Sequence, residues 1–175
     1  MKQPFTAPLV IDIGGGSTEI SWQGREGICF SSSPVGAVRV MEGGLSRTAV
    51  RRILAPTLAG GRRASPDLII TTGGTVTTLA AMELGLRVYN PDLVHGSRLT
   101  FSRVIAWERH LAPLPLAEKK KIPGLQPERA DIIGAGVMIL AVILEELAAS
   151  SFIVSEADLL WGMLLAQAER GELHV

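Results

Sequence analysis

The order of apolar and polar residues near the start of the chain predicts three strands. Residues 9–13 form a β-branched apolar run that three glycines close, and 19–23 and 28–33 continue as extended segments around a glycine turn at 24–27. Short connections of this kind join antiparallel neighbours. We therefore expect an antiparallel meander of three strands.

The middle of the chain alternates between helical and extended patterns. Apolar residues at helical spacing predict a helix over 47–58, which Ser46 caps and the glycine pair at 60–61 stops. A short buried strand is predicted over 67–71. A glycine turn leads from this strand into a predicted helix over 76–84.

The last third of the chain continues the alternation. A helix is predicted over 101–111, and 128–149 is predicted as the longest helix, apolar almost all round and therefore sandwiched between other elements. Residues 152–154 form the last predicted strand, and a capping-box-like start predicts a final helix over 155–170. The whole pattern predicts an α/β fold with a mixed five-stranded sheet, an antiparallel meander plus parallel strands, and helices on both faces.

Composition narrows the classes of function. The chain has 175 residues, enough for one domain, and 17 basic residues balance 17 acidic ones. The lack of net charge argues against a nucleic-acid partner or a membrane surface. The first residues lack a secretory signal pattern, and the longest apolar run, 132–144, is shorter than the roughly 18 residues of a membrane span. A single cysteine, Cys29, excludes an intrachain disulfide and fits a cytoplasmic location.

The most informative motif lies between the first two predicted strands. Three glycines and two hydroxyl side chains stand between carboxylates, in the order Asp12, Gly14, Gly15, Gly16, Ser17, Thr18, Glu19. Glycine N–H groups at such a turn can form an anion-binding nest, and the hydroxyls add donors. The carboxylates suit Mg²⁺ or the orientation of a water molecule. A plain glycine-rich hairpin with solvated acids is the alternative, whereas the Walker and dinucleotide-binding motifs are absent.

A second glycine turn stands between a predicted strand and a predicted helix. Gly73, Gly74 and Thr75 place the first N–H groups of that helix, at the positive end of its dipole, where an anion could bind. A structural turn with a threonine cap explains the same residues. Two such turns in one sheet strengthen the hypothesis of a phosphate site.

Five segments together resemble one known family. They are 10–19 (VIDIGGGSTE), 72–75 (TGGT), 94–96 (VHG), 122–125 (IPGL) and 128–133 (ERADII) with Gly136. In this order they resemble the exopolyphosphatase and guanosine pentaphosphate phosphohydrolase (Ppx/GppA) family, within the actin-like ATPase and sugar kinase superfamily. The resemblance implies a ribonuclease H-like domain. It also implies the removal of a terminal phosphate from polyphosphate or guanosine pentaphosphate by water and a divalent metal.

The same resemblance assigns roles to individual residues. It implies that Asp12 and Glu19 are catalytic and bind Mg²⁺. The phosphate-binding residues that it implies are Gly14, Gly15, Gly16, Ser17, Thr18, Gly73, Gly74 and Thr75. Arg129 and Asp131 are predicted to form a structural ion pair at a helix start rather than to contact substrate.

The resemblance also predicts the domain organisation. The family places a first domain, with another phosphate loop and a catalytic glutamate, before the strand that begins at Leu9. Residues 1–8 are therefore expected to be a residual tail, and 9–175 a single domain equivalent to the family's second domain. The missing first domain is the expected partner, and the isolated chain is expected to be inactive. Leu160 stands where family members often carry an arginine.

Three functions remain compatible with the sequence. The first is the phosphate-binding half of the phosphohydrolase. The second is a kinase-like protein in which residues 73–75 face a nucleotide, and the third is a non-catalytic module that senses an anion. An apolar content of 47% could leave an exposed face that drives self-association into a homodimer.

Overall fold

The computed structural model describes residues 8–158, which form one six-stranded mixed sheet with helices packed against it. The strands are β1 (Pro8–Ile13), β2 (Thr18–Gln23), β3 (Ile28–Ser33), β4 (Leu68–Thr72), β5 (Arg98–Thr100) and β6 (Ser151–Val154). Their order across the sheet is β3-β2-β1-β4-β6-β5. The first three strands form the predicted antiparallel meander, and β1, β4 and β6 are parallel neighbours.

The prediction of five strands was wrong by one. The sixth strand, β5, has only three residues and pairs antiparallel with β6 at the edge of the sheet. Its last residue, Thr100, also caps the next helix by accepting a hydrogen bond from the Arg103 N–H at 3.4 Å. A strand this short carries no alternation of its own, so the cap was the only signal in the sequence.

The described residues contain seven α-helices. They are α1 (Ala37–Glu42), α2 (Arg47–Arg63), α3 (Gly74–Glu83), α4 (Pro91–Val94), α5 (Phe101–Leu111), α6 (Leu116–Lys119) and α7 (Ile133–Glu146). The predicted bounds of α5 are confirmed. The short helices α1 and α4 were not predicted, and α1 is important because it packs beside the candidate site.

Helix α2 does not stop at the glycine pair, as the sequence had indicated. It runs on to Arg63, and Pro56 lies inside it. The glycines are needed for packing against the sheet, since a Cβ atom at Gly60 would overlap the indole ring of Trp22. One at Gly61 would lie 2.7 Å from Leu9 Cδ1. Tertiary contact, rather than helix termination, explains these two residues.

Helix α7 is shorter than the predicted 128–149. A 3-10 turn, Pro127–Arg129, precedes it, and it covers 14 residues against the 17 of α2. Its end is a Schellman motif in which Ala148 adopts φ 52°, and the Ala149 N–H donates to Leu144 O at 2.9 Å. Because alanine occupies the position where glycine is usual, the sequence lacked the stop signal. The predicted burial of the helix is confirmed.

The strand register sets which side chains can form a site. Leu9, Ile11 and Ile13 of β1 are buried, whereas Val10 and Asp12 point to the opposite face and are half-buried. Residues 1–7 of the predicted tail, and 159–170 of the last predicted helix with Leu160, lie outside the described residues. Within residues 8–158, no helix is both long and apolar enough to cross a membrane.

Candidate phosphate site

The two carboxylates singled out in the sequence lie side by side at one end of the sheet. Asp12 and Glu19 are directly opposite each other in the β1–β2 register, and Thr72 is the partner of Asp12 on β4. Burial raises the pKa of the Asp12 carboxyl, and the negative charges of Glu19 and Asp158 raise it further. Glu19 is fixed on its other side, because the Ser32 hydroxyl donates to its Oε1 at 2.8 Å.

Helix α1 lies beside the loop that joins these strands, and it donates to every glycine carbonyl in that loop. The hydrogen bonds are Ala37 N to Gly14 O at 3.0 Å, Val38 N to Gly15 O at 2.9 Å, Arg39 N to Gly15 O at 3.1 Å and Arg39 Nε to Gly16 O at 3.0 Å. Three consecutive carbonyl groups therefore point towards α1.

This arrangement turns the following N–H groups outward. In a trans peptide the C=O and the next N–H point in opposite directions, so the N–H groups of Gly15, Gly16 and Ser17 point away from α1. Within residues 8–158 none of these three N–H groups has a hydrogen-bond partner. The Gly14 N–H differs, since it donates to Ser17 O at 3.0 Å. The loop thus presents three adjacent donors, as in an anion-binding nest.

The first loop packs closely against the start of α1, and its glycines have no unusual backbone angle. None of its three glycines has a positive φ. Gly36, at the start of α1, packs so tightly on the peptide between Gly15 and Gly16 that a Cβ atom there would overlap it. By contrast, a Cβ atom at Gly16 would meet only Arg39 Nη2, at 3.9 Å. Gly36 was not predicted, because nothing in the sequence shows that α1 returns to this loop.

The second glycine loop meets the first at Asp12. Gly73 has φ 93°, and a Cβ atom there would lie 2.5 Å from Asp12 Oδ1 and 2.8 Å from Ile13 O. The chain then enters α3, whose first N–H groups belong to Gly74 and Thr75. Neither N–H has a hydrogen-bond partner in the part of the chain that the structure describes. The second loop therefore presents two open N–H groups next to Asp12, which ends the strand that leads into the first loop.

The threonines of the two loops are turned into the protein. Thr18 is fully buried, and its hydroxyl donates to Val35 O at 2.6 Å. Thr75 is 6% exposed and packs against α7, where a Cβ atom at Gly136 would lie 2.5 Å from its Oγ1. The structure therefore places both side chains in the scaffold, and only Thr75 brings an open backbone N–H group to the site.

The guanidinium group of Arg129 lies at the second loop, whereas the sequence predicted an ion pair between Arg129 and Asp131. Its Nη1 lies directly over Gly74, in the space that a Cβ atom would occupy, and its Nε donates to Gln126 Oε1 at 3.0 Å. Among the described residues it has no ion pair with Asp131, so that prediction was wrong. A cation at the positive end of a helix is unfavourable by itself. An anion bound near both the Arg129 guanidinium and the start of α3 would offset this repulsion.

The loop after β6 brings a third carboxylate towards the site. Thr72 Oγ1 donates to Ala157 O at 3.3 Å, and the Glu156 N–H donates to His95 Nδ1 at 3.2 Å. The Tyr89 hydroxyl also donates to the Glu156 carboxylate, and burial together with this carboxylate raises the pKa of Tyr89 to about 12. These contacts anchor the loop next to Asp158, whose charge acts on Asp12. No spacing of residues in the sequence predicts this contribution.

The carboxylates fit a magnesium ion that is shared with a phosphate ligand. Within residues 8–158 no group of three histidine, cysteine, aspartate or glutamate side chains is arranged to hold a metal alone. Mg²⁺ usually retains several waters and needs only one or two carboxylates beside substrate phosphates, which Asp12 and Glu19 can supply. A divalent cation would also relieve the charge repulsion that raises the pKa of Asp12.

Comparison with known proteins decides the family. Residues 2–170 match the Ppx/GppA phosphatase family. The chain belongs to this family. Ppx/GppA relatives include Exopolyphosphatase 2 of Mycobacterium tuberculosis, 29% identical over 91% of this chain and 55% of that protein. A bifunctional 3-dehydroquinate synthase/phosphatase of Fusobacterium nucleatum is 33% identical over 92% of this chain and 26% of that protein.

Solved Ppx/GppA structures share the fold. The crystal structure of the Aquifex aeolicus family member superposes with a TM-score of 0.82 at 29% identity, over 98% of this chain and 59% of that one. The predicted actin-like ATPase fold class is confirmed, with six strands instead of five. The chain spans little more than half the length of the M. tuberculosis and A. aeolicus relatives.

Proposed function

We propose that this chain is the phosphate-binding half of a phosphohydrolase that releases terminal phosphate from inorganic polyphosphate or guanosine pentaphosphate. The observation that carries the proposal is the row of three N–H groups at Gly15, Gly16 and Ser17, which point away from α1 and have no hydrogen-bond partner within residues 8–158. Backbone donors fixed in advance stabilise the charge of a phosphoryl group without reorganisation. The name of the M. tuberculosis relative, an exopolyphosphatase, supports the choice of substrate class.

The two loops would hold the terminal phosphoryl group from opposite sides. The N–H groups of the first loop bind one set of oxygens, and those of Gly74 and Thr75 bind another. The guanidinium of Arg129, above Gly74, neutralises charge on the same group. Ser17, which is partly exposed, adds a hydroxyl donor. The hydroxyls of Thr18 and Thr75 support the loops rather than the ligand.

The carboxylates would serve the metal and the attacking water. Asp12 and Glu19 would hold Mg²⁺, which when bound neutralises phosphate charge and lowers the pKa of a water molecule. The water oxygen forms a bond to the terminal phosphorus, and the bridging P–O bond breaks. The proton of the water passes to one of these two carboxylates, which acts as the general base. The products are orthophosphate and a chain shorter by one phosphate.

The opposite wall of the phosphate site would come from another domain. The described residues supply one wall of the site, and Asp12 stays partly exposed to the solvent. We therefore expect the isolated chain to bind phosphate chains but to release little orthophosphate. Activity should require the family's first domain, joined to this chain or added separately.

Ligand selectivity and substitution of Glu19 test the proposal. Tripolyphosphate with Mg²⁺ should raise the Tm of the chain more than ATP with Mg²⁺ does, because a ligand of the native state stabilises it. Glu19→Gln should reduce the magnesium-dependent part of this shift, and Glu26→Gln, on an exposed turn, is the matched control. Stabilisation by ATP alone would instead favour a kinase-like function, and no stabilisation by any phosphate ligand would contradict the proposal.

A further inference from the structure

The carbonyl groups of the first loop are not all held in the same way. The carbonyls of Gly14 and Gly15 accept from backbone N–H groups of α1, which any sequence would supply. The carbonyl of Gly16 accepts from a side chain, Nε of Arg39, at 3.0 Å. Among the three peptides, the one between Gly16 and Ser17 is therefore the only one that a side-chain hydrogen bond from α1 holds.

The side chain of Arg39 makes little other contribution to the packing of the protein. Its side chain is exposed, and the bond from Nε to Gly16 O is the side-chain hydrogen bond that the structure shows for it within residues 8–158. Val40, next to it, is buried and carries the packing of α1 on the core. Replacing Arg39 would thus leave no cavity and no buried polar group behind, so the fold should survive the change.

We infer that Arg39 is a positioning residue of the phosphate site, which keeps the Ser17 N–H turned towards the ligand by holding the Gly16 carbonyl. The inference rests on the proposed function, because the Ser17 N–H matters only if an anion binds there. Without the bond, the Gly16–Ser17 peptide can rotate, and the third donor of the row is no longer fixed in advance. The ligand must then pay the ordering cost itself.

The chemistry of the side chain suggests a graded set of variants. Arg39→Gln removes the charge and shortens the side chain, so the bond to Gly16 O is lost. Arg39→Lys keeps a cationic donor on a flexible stem and should restore part of the bond. Arg52→Gln, at an exposed position of α2 remote from this loop, is the matched control for loss of one positive charge.

The first measurement needs no ligand. The ¹³C′ chemical shift of Gly16 reports whether its carbonyl accepts a hydrogen bond. It should move upfield in Arg39→Gln, return most of the way in Arg39→Lys and stay unchanged in Arg52→Gln. An unchanged Gly16 shift in Arg39→Gln, with Tm equal to that of the wild type, would overturn the inference.

The second measurement follows tripolyphosphate binding by the amide signals of Gly15, Gly16 and Ser17. Loss of one charge-assisted hydrogen bond should raise the Kd of Arg39→Gln about tenfold and abolish the downfield shift of the Ser17 amide at saturation. Arg39→Lys should recover most of both effects. A weaker Kd with an intact Ser17 shift would mean a simple charge contact, and would overturn the positioning role.

The two proposals fail in different ways. If the wild-type amides do not respond to tripolyphosphate, the proposed function is contradicted and the positioning role falls with it. If the wild type responds and Arg39→Gln responds equally, with the same Kd, only the inference about Arg39 is overturned.

Discussion

The two glycine loops of the site present backbone N–H groups by different physical means. In the first loop, residues 14–17, no glycine has a positive φ, and hydrogen bonds from α1 turn the carbonyls away from the site. In the second loop, Gly73 takes φ 93° and leads directly into α3, so the open N–H groups are those of a helix start. One loop depends on a neighbouring helix, and the other depends on its own backbone conformation.

The two loops should therefore be sensitive to different substitutions. The second loop should fail when the backbone angle of Gly73 is penalised. The first loop should tolerate a methyl group within itself at Gly16, yet fail when its contact with α1 is disturbed at Gly36. The residues whose substitution damages the site most are therefore not always the residues that bind the ligand.

Gly73→Ala should have the largest effect on stability. Gly73 combines φ 93° with ψ 162°, a conformation almost exclusive to glycine, which costs other residues about 1–3 kcal/mol. Overpacking against Asp12 and Ile13 adds about 1–3 kcal/mol, so the free energy of unfolding should fall by about 3 kcal/mol. Urea denaturation measures it. Gly85→Ala is the matched control, because Gly85 has φ 63° and open space around it, and only the strain applies. Equal losses in both variants would show that the contact with Asp12 is unimportant.

Gly36→Ala should come next, with a loss of about 2 kcal/mol from overpacking against the peptide between Gly15 and Gly16. The same denaturation experiment on Gly16→Ala should show a change below about 0.5 kcal/mol. Phosphate binding should weaken in both variants, because one displaces the loop and the other puts a methyl group at its surface. If Gly36→Ala changed neither the free energy of unfolding nor phosphate binding, the contact with α1 would not be needed to hold the first loop.

Thr18→Val should cost about 1–2 kcal/mol of stability, since Val35 O loses its buried donor. The Kd for tripolyphosphate should stay within about twofold of the wild type, because this hydroxyl faces the scaffold. Ser17→Ala should show the reverse, with weaker binding and nearly unchanged stability. Should Thr18→Val lose binding while it keeps its stability, the hydroxyl would belong to the ligand site after all.

Asp12→Asn should change stability less than the destabilising variants Gly73→Ala, Gly36→Ala and Thr18→Val, and in the opposite direction. Burial, Glu19 and Asp158 raise the pKa of Asp12 in the folded state, so the ionised carboxylate destabilises the ligand-free fold. No such cost exists below the ordinary pKa of 3.8, where the group is protonated in both states, and the cost develops as pH rises through the folded-state value. The Tm of Asp12→Asn should exceed that of the wild type at pH 7 and converge with it near pH 3. A lower Tm at pH 7 would contradict the sign.

Local patterns in the sequence predicted the meander, α5 and the paired carboxylates, because each depends on neighbours along the chain. Asp12 and Glu19 face each other simply because a hairpin joins their strands. The contacts of Gly36, Arg39, Arg129 and Asp158 depend on how distant elements pack, and no spacing in the sequence encodes them. The same reason explains Gly60, which looked like a helix stop and instead makes room for Trp22.

A crystal structure of the chain with Mg²⁺ and tripolyphosphate would show whether the backbone N–H groups of the two loops bind phosphate. We expect phosphoryl oxygens about 2.7–3.2 Å from the nitrogens of Gly15, Gly16 and Ser17, with the start of α3 on the other side of the same phosphate. Loops that stay empty at a saturating ligand concentration, or N–H groups that bond within the protein instead, would contradict it.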